Sequence, residues 1–181
     1  MTSAAGSAAG PPAGHRLPAE LAAVVLALTG VRRGDVVLDL SPAAGLTASL
    51  AAAAGSTGSV IAHLPAHRPG DPLPPGADAV VSDPAQLDAD ERPSKVVLVD
   101  PDSDARALRP LLAATRGHLA PDARVTTAAR AGAGAVLDGL PAVLAGCGLL
   151  LVHAEGLSLD PGGDTPSRRV ALAVGRRPPG P

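Results

Sequence analysis

Residues Gly34 to Gly45 read GDVVLDLSPAAG. Val36, Val37, Leu38 and Leu40 make a short apolar strand pattern that carries one acid, Asp39. A turn of small residues follows, and then a helix pattern from Leu46 to Ala54, stopped by Gly55. Strands that are apolar on both faces suit a parallel sheet covered by helices. The stretch therefore has the layout of a nucleotide-binding strand-turn-helix. Glycines normally serve such a turn, because they accept positive φ and let the backbone come close to a ligand. Here two of those positions hold Ser41 and Ala43, with Pro42 between them, and Gly45 alone is kept.

The pattern continues along the chain. A helix is expected from Pro18 to Thr29, with Leu21, Val24, Val25 and Leu28 on one face and Gly30 closing it. Further strands are expected at Asp35–Leu40, Ser59–Leu64, Ala77–Ser82, Lys95–Val99 and Arg124–Ala128. Helices are expected at Ala105–Leu119 and Ala135–Ala145, with Asp102, Ser103 or Asp104 as N-cap of the former. The segment PAHRPGDPLPPG after the second strand holds too many prolines for a helix. Two last strands, Leu149–Glu155 and Arg169–Val174, are joined without a helix. Strands that alternate with helices predict an α/β fold with a Rossmann-like, doubly wound, mostly parallel sheet. The final pair adds an antiparallel edge.

Composition narrows the function classes. With 181 residues the chain has room for one domain with a real core. It has no Phe, Tyr or Trp. No ring can stack on a base or an adenine, or offer its face to a sulfonium. The 21 Gly and 20 Pro cluster in loops and ends. Residues 1–17 read as a disordered leader, 18–178 as the domain and 179–181 as a tail. The formal charge of -2 gives no bias towards polyanions, so no nucleic-acid partner is expected. Leu21 to Leu28 is too short to span a bilayer, and no targeting signature precedes it, so a cytoplasmic location without membrane contact is expected. One cysteine, Cys147, permits no intrachain disulfide and reads as a small core residue. Walker loops, zinc spacings and nucleophile motifs are absent from the sequence.

The element order resembles the class I S-adenosylmethionine-dependent methyltransferase fold, a seven-stranded sheet that ends in an antiparallel pair. GDVVLDLSPAAG is similar to that family's first motif, G-x-x-V-L-D-x-G-x-G-x-G. RGHLAPDARV at 116–125 resembles its helix-to-strand-five turn, and GLLLVHAEG with RRVALAVGRRP resembles its last two strands. The resemblance covers roughly residues 18–178. It implies a cofactor site built from Asp39, Ser41, Ala43, Gly45, Leu64 and Asp83, with Asp100 at the position where the family commonly places substrate or catalytic groups. Ligands of open α/β sheets bind outside the carboxyl ends of the strands, so Ser41, His63, Leu64, Asp83 and Asp100 are expected to line one crevice.

Four departures bear on function. The glycine turn is rewritten. Leu64 stands where the family usually has an acid for the ribose hydroxyls. A Pro-rich loop replaces the helix after the second strand. No ring is present for the adenine. They lead to the expectation of a methyltransferase-like pseudoenzyme that has lost ordinary S-adenosylmethionine binding, needs no cofactor, and acts as a non-catalytic partner or small-ligand-binding subunit. The alternative is an active S-adenosylmethionine-dependent methyltransferase with an atypical first motif.

Other readings of the same residues stay open. Asp39 can orient a ligand or bond to the turn's own amides. Asp83 and Asp100 both precede prolines and can be turn starters. The acids from Asp100 to Asp104 lack a calcium loop's later glycine and its last acid, which is Leu111, so helix capping accounts for them better. The Pro-rich loop gives His63, His67 and Asp71 no regular metal geometry. His153 and Glu155 share one face of a strand and can pair. A homo- or hetero-oligomer through the edge strands or the N-terminal helix is the expected assembly.

Overall fold

A computed structural model describes residues 17–41, 46–88, 90–131, 139–159 and 168–179. Its elements in chain order are α1 (Ala19–Thr29), β1 (Val36–Asp39), α2 (Leu46–Ala54), β2 (Ser59–His63), β3 (Ala79–Val81), β4 (Lys95–Asp100), α3 (Ala105–Thr115), β5 (Arg124–Arg130), α4 (Leu140–Gly146), β6 (Leu150–Leu159) and β7 (Arg168–Arg176). The seven strands form one sheet in the order β3-β2-β1-β4-β5-β7-β6. The first five are parallel and β7 runs antiparallel to both of its neighbours. The expected doubly wound sheet with an antiparallel C-terminal pair is what the chain forms.

Alternation within the strands builds two cores. Val37, Val60, Val97 and Leu172 point to one face, where Leu21 and Val25 of α1 and Leu46 and Leu50 of α2 cover them. Leu38, Ile61, Val96 and Leu98 point to the other, beneath Leu108 and Leu112 of α3 and Leu140 and Leu144 of α4. This is why the strands read as apolar on both faces. Cys147 is buried in the second cluster, as a small core residue, and burial pushes its thiol up.

Local signals set most of the boundaries. Gly30 closes α1 in the left-handed conformation (φ 58°), its amide bonded to the Leu26 carbonyl. Asp104 caps α3 by accepting from the amides of Arg106 and Ala107. Two helices depart from expectation. α3 ends at Thr115 instead of Leu119, and Arg116–His118, which contains Gly117, tightens into a 3-10 turn. α4 begins at Leu140, with Pro141 in its first turn, after Gly139 at φ 114°. Proline at a helix start and a glycine just before it are boundary signals inside what read as a continuous helix. Residues 135–138 of that expected helix lie outside the described residues. The strands shift by one to four residues at their ends, most in β6, which runs on to Leu159.

The Pro-rich segment after β2 is not helical, as its prolines predict. It returns to the sheet at Gly76, which has φ 88° and lies against α2: a Cβ there would be 2.7 Å from the Cα of Ala48. Asp78 then bonds to the Val60 amide and locks the return to β2 (2.8 Å).

Candidate site at the carboxyl edge of the sheet

β1 lies between β2 and β4, and the winding of the sheet reverses between β1 and β4. In open α/β sheets that reversal opens a crevice at the carboxyl ends of the strands. Asp39, at the end of β1, is fully buried. One carboxylate oxygen accepts from the Ser41 amide (3.1 Å), and the other accepts from the Thr47 hydroxyl of α2 (2.8 Å). Burial pushes its carboxyl up to about 6, against these two hydrogen bonds, which lower it.

Ser41 uses its side chain across the reversal. The Leu40 amide extends the β1–β4 ladder by donating to the Val97 carbonyl (2.8 Å). Beyond it, the Val99 amide donates to the Ser41 hydroxyl oxygen (2.7 Å). The end of β1 is thus joined to β4 by a group that a glycine would lack. Ala43 and Gly45 lie outside the described residues, as do Pro42 and Ala44.

The other candidates sit on the same edge. Asp100 ends β4 and folds back on its own loop, one oxygen accepting from the amides of Asp102 and Ser103 (both 3.1 Å). The Arg130 amide bonds to the Ser103 carbonyl, which ties that loop to β5. His63 is buried at the end of β2. Leu64, half-buried, gives its amide to the Val81 carbonyl of β3. Asp83, exposed, caps the short 3-10 turn Pro84–Gln86 by accepting from the Ala85 amide (3.0 Å). So the fold brings Asp39, Ser41 and Asp100 to the β1–β4 boundary and Leu64 and Asp83 to the β2–β3 boundary. Each of the three acids accepts hydrogen bonds from backbone amides close to it in sequence.

Thr47 is a site residue absent from the set expected on sequence. Its signal is a hydroxyl on the buried face of LTASLAAAA, a helix otherwise made of Leu and Ala with one further polar residue, the exposed Ser49. Among the described residues no group of His, Cys, Asp and Glu is placed to hold a metal ion, and no helix is long and apolar enough to cross a membrane. The acids from Asp100 to Asp104 close a turn and cap α3, which is the capping role expected of them.

No protein-family model and no curated protein matches the sequence. Solved structures do match in fold. The N-methyltransferase NodS from Bradyrhizobium japonicum superposes with a TM-score of 0.59 at 16% identity, over 88% of this chain and 95% of that one. NodS in complex with S-adenosyl-L-homocysteine gives 0.60 at 15% identity, over 88% and 86%. Precorrin 8W decarboxylase from Methanobacterium thermoautotrophicum gives 0.57 at 18% identity, over 92% of each chain. The chain has the Rossmann-like fold of class I S-adenosylmethionine-dependent methyltransferases.

Proposed function

We propose that this methyltransferase-fold chain does not hold S-adenosylmethionine in the ordinary way and serves as a non-catalytic subunit, through a partner or a different small ligand. The observation that carries this reading is the bond between the Ser41 hydroxyl and the Val99 amide, 2.7 Å across the point where the winding reverses. A ligand seated there needs free backbone groups and an open approach. Instead, a side chain occupies the β4 amide, and Asp39 is fully buried with both oxygens bonded inside the chain.

Two further features support it. Leu64, at the position of the ribose-binding acid, offers no hydrogen-bond acceptor from its side chain. The loop that stands where the family has a helix packs at Gly76 directly on α2. The residues present therefore do not fit S-adenosylmethionine as the family holds it.

Calorimetric titration of the purified chain with S-adenosylmethionine and with S-adenosylhomocysteine tests the proposal. No heat of binding is expected from either. Micromolar binding would overturn it in favour of a second reading, an active methyltransferase with an atypical first motif. The placement of Asp39 and Asp100 on one sheet edge favours that alternative. In it, Asp39, Ser41, Ala43, Gly45, Leu64 and Asp83 would surround the cofactor and Asp100 would face the substrate. The triple variant S41G/A43G/L64D separates the causes: binding gained there assigns the loss to these side chains.

A further inference from the structure

Among the described residues the sheet has two open edges, β3 and β6. β3 is three residues long, whereas β6 runs for ten. An open edge is a row of unpaired backbone groups, and natural edges are kept short, charged or covered. β6 does the opposite at its start. Leu150, Leu151 and Val152 are 58%, 47% and 52% exposed, three large apolar side chains in a row. After an irregularity between Leu151 and His153, the strand is regular to Leu159. In that regular part His153 and Glu155 share one face, 3.4 Å apart and both half-exposed.

We propose that β6 is the seam of a homodimer in which two copies pair their β6 strands antiparallel, centred on Ala154. Symmetry and side-chain pairing select this register. A twofold axis normal to the sheet leaves each face on its own side, so opposing residues must come from the same face. The pairing is then centred on a residue. Centred on Glu155, it sets two carboxylates against each other. Centred on His153, it sets two imidazoles together and carries Glu155 to the partner's irregular stretch around Val152. Centred on Ala154, it puts His153 opposite the partner's Glu155 twice, and the two intrachain pairs become one alternating cluster of four. An imidazole N–H can donate a hydrogen bond to a carboxylate across antiparallel strands, whereas two carboxylates set opposite each other repel and two imidazoles leave both carboxylates without this donor. The same register brings the exposed apolar start of β6 in each copy alongside the stretch that follows Glu155 in the other, with the irregularity at Val152 shifting the pairing there by one residue.

Such an interface is isologous and closes on itself, so the assembly stops at two copies and both long edges are consumed. The dimer depends on β6 alone, three strands along the sheet from β4, and forms whichever ligand the β1–β4 boundary takes.

Sedimentation velocity of the full chain over a concentration series tests it, with circular dichroism as a control for folding. The wild type is expected to form a concentration-dependent dimer. His153→Glu sets carboxylates against carboxylates and Glu155→Lys removes the acceptor for both imidazoles, and each is expected to weaken the dimer about tenfold or more. The swapped variant H153E/E155K sets a carboxylate opposite an ammonium twice in this register only and is expected to recover the dimer. A chain that is monomeric throughout, or a dimer indifferent to all three variants, overturns the proposal. So does a folded swapped variant that fails to recover the dimer.

Discussion

The hydroxyl oxygen of Ser41 accepts a hydrogen bond from the amide of Val99, 2.7 Å away and 58 positions further along the chain. It joins the end of β1 to the end of β4 at the boundary where a sheet of this kind opens for ligands. A serine at this position is thus a structural tie as well as a missing glycine. The effect on ligand binding and the effect on stability have one origin.

Ser41→Gly leaves the Val99 amide, on a nearly fully buried residue, without this acceptor. A cost of about 1–2 kcal/mol is expected, the desolvation penalty of an orphaned buried donor. Urea unfolding followed by circular dichroism measures it. A variant as stable as wild type would show that water or another acceptor replaces the hydroxyl.

Asp39 makes stability depend on pH in an unusual direction. Its carboxyl is pushed up from 3.8 to about 6 by burial, so the folded chain holds a proton that the unfolded chain has released. Between these values the folded state binds more protons, and stability must fall as pH rises through the window from about 4 to about 6. Above it the penalty is constant, on the order of 2–3 kcal/mol. Asp39→Asn keeps an acceptor for the Ser41 amide and removes the titration. The difference in unfolding free energy, variant minus wild type, is expected to grow in favour of the variant across that window and then level off. A flat difference would show that the Asp39 carboxyl is not raised.

Gly76→Ala is expected to destabilise by about 2–3 kcal/mol. The new Cβ would meet the Cα of Ala48 at 2.7 Å, a backbone atom that cannot swing away, and the residue has φ 88°. Gly70→Ala is the control: its φ is also positive, at 96°, but nothing lies within 4 Å of its Cβ position. A smaller loss there, by thermal unfolding, separates crowding against α2 from backbone strain alone.

Asp104→Ala removes the acceptor for the amides of Arg106 and Ala107 at the start of α3. About 1 kcal/mol is the expected cost. Asp104→Asn, which keeps a side-chain oxygen at the cap and removes the charge, is expected to cost less. Equal losses in the two variants would mean that Asp104 acts through its negative charge and not through the cap.

The class of fold is legible in the amino-acid sequence. Apolar runs such as VVLDL and KVVLV carry side chains to both faces of a sheet, and that requires helices on both sides wherever they occur. Legible too are α2 to its last residue, the caps of α1 and α3, and the absence of a helix after β2, because proline, glycine and capping acids act on neighbours within a few positions. The start of α4 is written in Gly139 and Pro141 but is obscured by the helical pattern around them. What the candidate site residues do is settled by tertiary contacts. Ser41 meets Val99 from another strand, Asp39 meets Thr47 from α2, and Gly76 meets Ala48 across a long loop. These contacts arise where the sheet brings distant segments together, and no local periodicity encodes them.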